Sequence, residues 1–180
     1  ARTGLLFHGP SRGRLQRSFF SPAYENLYTS IILRPALTID RAATTVLAAA
    51  TGVAETIRHR VRHAHHDHNT DPADPERAVS IKWPNDVLLD GLKTSGILME
   101  LQAEATRVGF LILGIGVNLN TPRENFPTEF RDLATSLASH CQTRIDRVRF
   151  AQNLYNTLEE VFELHFEMGF PAIRPRFDAL

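Results

Sequence analysis

The chain has 180 residues, and 43% of them are hydrophobic, which is enough to bury one sizeable core and excludes a wholly disordered chain. Twenty basic and twenty acidic side chains cancel, so no overall field draws the protein to nucleic acid or to an anionic membrane. The single cysteine, Cys141, excludes an intrachain disulfide and suits a reducing compartment. No apolar stretch approaches the roughly 18 residues of a membrane span. We therefore expect a cytoplasmic protein with no nucleic-acid or membrane partner.

The first half of the chain predicts two strands and one long helix. Residues 5–8 indicate the end of a strand, and residues 9–17 indicate a loop that contains glycine and arginine. Residues 26–33 are rich in β-branched and aromatic side chains, which predicts a second strand. Apolar residues at intervals of three and four predict a helix over 39–63 with an alanine-rich face. The polar residues 67–75 include two prolines and predict a surface loop.

The second half begins with a pattern typical of consecutive antiparallel strands. A short strand is expected over 79–83, where a proline then ends it. The dipeptide Asp90-Gly91 is typical of a two-residue hairpin turn. Further strands are expected over 97–101 and 108–113, and the latter is apolar on both faces, as in a central strand.

An amphipathic helix is expected over 145–168, with Gly169 as its end. Residues 171–180 should begin a further short element. The order of elements predicts a mainly antiparallel sheet, with the helices at 39–63 and 145–168 packed against it.

Three arginines surround one glycine near the N-terminus. Arg12, Arg14 and Arg17 lie within six residues, and residues 1–41 contain six arginines but only two acidic residues. Guanidinium groups form bidentate hydrogen bonds with phosphate, and glycine lets backbone N–H groups approach an anion. The segment therefore predicts a phosphate site, with an ordinary arginine-bearing surface loop as the alternative.

The two lysines of the chain, Lys82 and Lys93, lie eleven positions apart, whereas the other eighteen basic residues are arginines. A lysine retained in such a chain indicates a position that needs a compact ammonium charge. Trp83-Pro84-Asn85-Asp86 favours a fixed turn that presents an amide and a carboxylate at a strand end. The hairpin turn should bring Lys93 back beside that carboxylate. The alternative is that Asn85 and Asp86 cap the turn and Lys93 is solvated.

Two further patterns are less specific. Gly114 and Gly116 directly follow an apolar strand, which indicates close approach of a ligand or a neighbouring element. The third glycine of the dinucleotide-binding fingerprint is absent. His59 and His63 have the i, i+4 spacing of helical metal ligands, but no Cys or Glu completes a zinc pattern. We therefore interpret the histidines as a solvated helix end.

Taken together and in this order, these segments resemble the catalytic domain of the biotin protein ligases, over residues 9–120. The likeness lies in Arg12-Gly13-Arg14-Leu15, Lys82-Trp83-Pro84-Asn85-Asp86, Lys93-Thr94-Ser95-Gly96-Ile97 and Gly114-Ile115-Gly116-Val117-Asn118. The resemblance implies an α+β fold with a mixed, mainly antiparallel sheet flanked by helices, as in class II aminoacyl-tRNA synthetases and biotin synthetases. It also implies that residues 1–180 are the catalytic domain, truncated at the N-terminus and lacking the family's small C-terminal domain.

The resemblance implies a two-step reaction. The carboxylate of biotin attacks the α-phosphate of ATP to give biotinyl-5′-adenylate, and a lysine of a biotin carboxyl carrier protein then takes the biotinyl group. The catalytic residues would be Lys93, Arg14 and Asp86. Lys93 would contact both the biotin carboxylate and the α-phosphate, and Asp86 would assist the incoming amine. Mg²⁺ should accompany the ATP, although the sequence contains no dedicated metal site.

The resemblance also assigns ligand-binding residues. Arg12 and Arg17 would hold phosphates, Phe19 would lie against the adenine, and Asn85 and Asn118 would bind the nucleotide or its phosphates. The other residues assigned to the ligand site or the biotin pocket are Tyr28, Lys82, Trp83, Gly96, Leu98, Gly114 and Gly116.

Three residues depart from the family's usual pattern. His8 stands where a biotin-binding glutamine is usual, and Ser11 and Gln16 stand where glycines are usual. Two alternative functions therefore stay open: a non-catalytic module or regulator that binds the adenylate, and a lipoate ligase, which shares the fold and the chemistry. A homodimer also fits the family, because relatives often dimerise through sheet edges.

Overall fold

The computed structural model describes residues 4–6, 22–68, 78–104 and 107–180. Six strands within these ranges form one sheet in the order β1–β2–β6–β5–β4–β3, and each ladder between them is antiparallel. The strands are β1 (Gly4–Leu6), β2 (Leu27–Leu33), β3 (Val79–Lys82), β4 (Asp86–Leu89), β5 (Leu92–Glu104) and β6 (Arg107–Val117). The expected α+β class with a mainly antiparallel sheet is confirmed, and β6 is central, as its apolar sequence predicts.

The sheet has one buried face and one more open face. Burial alternates along β2 and along the second half of β6, so every second residue of these strands enters the core. Leu27, Ile31, Leu113 and Ile115 are among the buried residues, each at 5% exposure or less. The residues that alternate with the buried ones, such as Tyr28 and Gly114, are half-buried and lie on the opposite face. This period of two fixes which side chains can reach a ligand.

Five α-helices and one short 3₁₀ helix (Arg123–Asn125) occur in the described ranges. The α-helices are α1 (Ile39–Ala43), α2 (Thr45–His68), α3 (Leu137–Cys141), α4 (Arg147–Met168) and α5 (Phe170–Asp178). The alanine-rich face of α2 is buried in the same core as the sheet, as expected. Helix α4 packs against α2, where a Cβ added at Gly52 would lie 2.9 Å from Leu158 Cδ2. The missing side chain therefore lets the two helices approach closely.

The single helix expected over 39–63 is wrong in two respects. The chain leaves the helical path at Thr44, whose hydroxyl donates to the Arg41 carbonyl at 2.9 Å, a local bond that competes with the helical backbone. The second helix then continues to His68, so the first residues of the loop expected over 67–75 are helical. Packing of α2 on the sheet and on α4 outweighs the weak helix signal of its polar end.

The C-terminal helices agree well with the sequence. The helix α4 begins two residues after the expected start, because the Asp146 carboxylate caps it by accepting from the N–H groups of Val148 and Arg149. It ends at Gly169, whose φ of +80° favours glycine. The short element expected from 171 is α5, which begins one residue earlier. No helix of the described residues is long and apolar enough to cross a membrane.

A buried histidine links α4 to the start of α2. His165 is 1% exposed, and its Nε2 lies 3.3 Å from Thr45 Oγ1. Burial, followed by the nearby charge of Arg41, lowers the pKa of His165 below its usual value. The folded state therefore favours the neutral imidazole.

Acidification should weaken the fold partly through His165. The unfolded chain takes up a proton near the ordinary histidine pKa of about 6.5, which the folded chain resists, so the free energy of unfolding falls as the pH drops below this value. We expect His165→Gln to lose less stability than the wild type between about pH 7.5 and 5.5, as measured by urea denaturation. Equal losses in the two proteins would contradict this role of His165.

Candidate active site

A β-bulge places Lys93 on the open face of the sheet. Ser95 keeps the regular β4–β5 register, but Lys93 lies opposite Leu88, so Thr94 is an extra residue on β5. In a regular strand Lys93 would share the buried face with Ser95, because side chains alternate. The extra residue reverses the alternation, and Lys93 projects from the face that Leu88 shares with Asp86.

The Lys93 ammonium is paired with the Asp86 carboxylate. Lys93 Nζ lies 2.7 Å from Asp86 Oδ1, so the expected return of the lysine to this carboxylate is confirmed. The side chains remain 43% and 22% exposed, respectively, and a pair this open to solvent contributes about 0–1 kcal/mol to stability. Its main consequence is therefore the fixed orientation of the ammonium.

Gly96 makes room for that orientation. A Cβ added at Gly96 would lie 3.2 Å from Lys93 Cε, 3.3 Å from Lys93 Nζ and 3.6 Å from Asp86 Oδ1. The first two distances are shorter than ordinary van der Waals contact. The missing side chain thus lets the ammonium lie across the strand, above the backbone.

One row of residues crosses four strands on the open face. Tyr28 lies opposite Gly116, Gly116 opposite Gly96, and Gly96 opposite Asp86. Paired residues of antiparallel strands share a face. The row therefore leads from a phenol ring, over two glycines, to the carboxylate that binds Lys93.

The next row of residues continues the same face. Gly114 lies opposite Ser30 on one side and Leu98 on the other, and a Cβ added at Gly114 would have its nearest contacts with Leu98, at 3.8 and 3.9 Å.

The Tyr28 hydroxyl accepts a hydrogen bond from Asn26 Nδ2 at 2.9 Å. Burial raises the pKa of Tyr28, and the bond to Asn26 opposes this shift. The residues predicted for the biotin pocket thus share one face of the sheet.

The two predicted amide ligands are both bonded to backbone. Asn85 Nδ2 donates to the Ile97 carbonyl at 2.9 Å, and the Ile97 N–H donates to the Asn85 carbonyl. Asn118 Nδ2 donates to the Thr135 carbonyl at 3.2 Å. Both amides therefore stabilise the chain around Lys93, and their contact with a nucleotide stays a prediction.

Lys82 and Trp83 adjoin this site. Lys82 ends β3, where it lies opposite Asp86, and its side chain is exposed. Trp83 is 73% exposed and belongs to the turn that follows, so the expected strand over 79–83 ends one residue early. A ring this exposed beside the paired carboxylate is available for contact with a ligand.

The predicted arginine-containing loop lies outside the described residues. Its contacts with the Lys93 site therefore stay a prediction, and so do the consequences of the departures from the usual family pattern. The residues concerned are Arg12, Arg14, Arg17 and Phe19, together with His8, Ser11 and Gln16.

Sequence reasoning missed a segment that binds the backbone of Lys93. We call residues 127–136 the strap. The Lys93 N–H donates to the Leu133 carbonyl at 2.9 Å, and the Thr135 N–H donates to the Lys93 carbonyl at 3.0 Å. These bonds form a parallel bridge between Lys93 and Ala134. Backbone bonds require no particular side chains, so an irregular sequence gives no signal for them.

The histidine pair on α2 is separate from this site. His59 Nε2 lies 3.1 Å from His63 Nε2, and both side chains are exposed. Partial burial, and then the charges of His63 and Arg62, lower the pKa of His59. Within residues 4–6, 22–68, 78–104 and 107–180, no group of three or more His, Cys, Asp or Glu side chains could hold a metal ion.

Comparison with known proteins agrees with this geometry. A model of the family described as "Biotin/lipoate A/B protein ligase family" matches residues 8–118. A "Bifunctional ligase/repressor BirA" of Bacillus spizizenii is 36% identical over 163 residues, which are 91% of this chain and 46% of that protein. A "Biotin--[acetyl-CoA-carboxylase] ligase" of Paracoccus denitrificans is 29% identical over 78% of this chain and 62% of that protein. The chain spans about half the length of the curated relatives it matches.

Solved structures share the fold. A biotin protein ligase from Aquifex aeolicus in complex with biotin and ATP has a TM-score of 0.64 and 25% identity, and the match covers 92% of this chain and 62% of that one. A biotin protein ligase from Leishmania major in complex with biotin has a TM-score of 0.67 over 98% of this chain and 70% of that one. At 23% identity this second likeness concerns the fold alone. The expected synthetase-like fold is confirmed.

Adding a methyl group at Gly96 should displace the Lys93 ammonium while leaving the fold intact. The obstructed atoms belong to a flexible side chain, so Gly96→Ala should change the free energy of unfolding by about 1 kcal/mol or less. Release from Asp86 should make Lys93 react faster with acetic anhydride than it does in the wild type. Lys82, the other lysine of the chain, gives an internal reference when both rates are read by mass spectrometry.

Gly114→Ala is the matched control for this experiment. It adds the same methyl group to the same sheet face, but its nearest contacts, at 3.8 Å or more, are with Leu98. The ratio of Lys93 to Lys82 acetylation should stay at the wild-type value in this variant. A ratio unchanged in both variants would show that Gly96 does not set the position of the ammonium.

Proposed function

The chain belongs to the biotin/lipoate A/B protein ligase family, and on this premise we propose that it activates biotin with ATP and transfers the biotinyl group to a lysine of an acceptor protein. The observation that carries the proposal is the position of the Lys93 ammonium. Asp86 holds it beside a face of the sheet where Gly96 and Gly116 leave the backbone uncovered. Both reactants of the first step are anions, a carboxylate and a phosphate. A preorganised cation between them lowers the cost of their approach.

In the first step a carboxylate oxygen of biotin attacks the α-phosphorus of ATP. A new P–O bond forms, the bond from the α-phosphorus to the bridging oxygen breaks, and pyrophosphate leaves with that oxygen. The product is biotinyl-5′-adenylate, a mixed anhydride. Lys93 would contact both the carboxylate and the α-phosphate, so its charge offsets the negative charge where the bond forms.

In the second step a neutral lysine amine of the acceptor attacks the carbonyl carbon of the anhydride. A C–N bond forms, the bond from carbon to the phosphate oxygen breaks, and AMP leaves. The attacking nitrogen loses one proton, which Asp86 would accept. We propose a biotin carboxyl carrier protein as the acceptor, which the relatives named as acetyl-CoA-carboxylase ligases support.

The other family residues would complete the ligand site. Arg12, Arg14 and Arg17 would hold phosphates and order their loop over the intermediate, which excludes water from the reactive anhydride. Tyr28, Gly96, Leu98, Gly114 and Gly116 would contact biotin on the open face. Small residues there let the rings of biotin lie against the backbone.

Mg²⁺ is proposed to enter with ATP. Asp86 is already paired with the Lys93 ammonium, and the described ranges contain no group of three or more His, Cys, Asp or Glu side chains that could hold a metal ion. These side chains do not form a magnesium site made of protein ligands alone. Mg²⁺ commonly keeps several waters and binds through the phosphates of its nucleotide.

Lys93→Ala should abolish the first step. Loss of a preorganised donor at developing charge typically lowers kcat by about 100-fold or more, so pyrophosphate release with biotin, ATP and Mg²⁺ should fall at least that far. Arg174→Ala, which removes an exposed cation on α5, is the matched control and should keep wild-type activity. A wild-type chain that binds biotinyl-adenylate but releases no pyrophosphate would contradict the proposal and favour a non-catalytic binding module.

Biotin should be consumed in preference to lipoate. The relatives named as biotin ligases and the Aquifex aeolicus structure with biotin and ATP support this choice. We expect the kcat/KM of pyrophosphate release to be at least about tenfold higher for biotin than for lipoate, which corresponds to about 1.4 kcal/mol of difference in transition-state binding. Faster turnover of lipoate would assign the chain to the lipoate branch of the family.

A further inference from the structure

Lys93 lies where its strand extends beyond its central neighbour. The β5–β6 ladder begins at Ser95 opposite Val117, so Leu92, Lys93 and Thr94 precede the last residue of β6 that pairs with β5. On the other side they are bounded by β4 and the bulge. An edge with unpaired N–H and C=O groups next to a bulge has few constraints on its position.

The strap takes the place of the missing strand. Its Leu133 carbonyl and Thr135 N–H bond the N–H and carbonyl of Lys93, at 2.9 and 3.0 Å. The main chain of Lys93 is therefore held on both sides, by Leu88 of β4 and by Ala134 of the strap. Any displacement of the strap displaces the base of the Lys93 side chain.

Asn118 joins the strap to the bulge. Its N–H donates to the Thr94 carbonyl at 2.8 Å, and its side-chain Nδ2 donates to the Thr135 carbonyl at 3.2 Å. Its own carbonyl accepts from the N–H of Leu137 at 3.0 Å. One residue thus binds the chain on both sides of the site where Lys93 is held.

We infer that Asn118 is a positioning residue for Lys93 and acts through the strap. The inference rests on the proposed function for its consequence in catalysis, but the contacts themselves do not depend on it. The side-chain amide fixes Thr135, Thr135 fixes the Lys93 carbonyl, and the ammonium then reaches Asp86 at 2.7 Å. A displacement of about 1 Å in a catalytic group is enough to lower the rate up to about 100-fold.

The test is the reactivity of the Lys93 amine in Asn118→Ala, measured without any ligand. Acetic anhydride should label the amine of Lys93 more slowly while Asp86 holds it than after its release, and Lys82 in the same molecule is the reference. We expect the ratio of Lys93 to Lys82 acetylation to rise at least about threefold in the variant, because the weakened strap lets Lys93 leave Asp86. Asn118→Ser, whose side chain is too short to reach Thr135, replaces Asn118→Ala if the latter does not fold.

Asn120→Ala is the matched control. Asn120 Nδ2 likewise donates to a backbone carbonyl, that of Ile145 at 3.0 Å, but this bond holds the start of α4. The control should keep the wild-type acetylation ratio. An unchanged ratio in Asn118→Ala, or an equal rise in both variants, would overturn the inference, since the second result would indicate general loosening.

Steady-state kinetics give a second readout. A positioning role predicts that Asn118→Ala lowers kcat for pyrophosphate release about tenfold or more, with the KM for ATP changed by less than about twofold. A raised KM for ATP with an unchanged acetylation ratio would instead make Asn118 a direct nucleotide ligand and overturn the inference. If the wild type releases no pyrophosphate, the proposed function fails, while the acetylation ratio still decides the role of Asn118.

Discussion

The pairing of Lys93 with Asp86 is the interaction on which the site depends, and a bulge of one residue places Gly96 on the same face as this pair. Thr94 reverses the alternation of side chains, so that a lysine three residues before Gly96 shares its face. The pair is too exposed to contribute much to stability. The pair instead places a positive charge at a defined position. The backbone bonds of the strap and the missing side chain at Gly96 both favour that position.

The two faces of the sheet have different roles, because one packs in the core and the other forms the candidate site. One face carries Ile31, Ile97 and Ile115 into a core that it shares with α2 and α4. The opposite face carries Gly96, Gly114 and Gly116, which contribute little to packing but allow close approach to the backbone. A substitution on the first face acts chiefly through folding, whereas one on the second acts chiefly through the site.

Much of this could be predicted from the sequence. The strand pattern and the Asp90-Gly91 turn indicated the hairpin, and the hairpin placed Lys93 beside Asp86. The break at Thr44 could not be predicted, because a single hydroxyl bond decides it. The bulge and the strap were also missed. A strict period of two along β5 would put Lys93 and Gly96 on opposite faces, and the strap binds Lys93 through main-chain atoms that any residue supplies.

The way in which the strap holds Lys93 has a consequence for how such a chain changes over time. Leu133 and Thr135 contribute a carbonyl and an N–H, which almost every amino acid also has. Their side chains can therefore be exchanged without loss of these two bonds, provided that the path of the backbone is kept. Divergence among homologues in residues 133–135 would therefore be a poor measure of their importance, since the two bonds depend on the path of the main chain and not on the identity of its side chains.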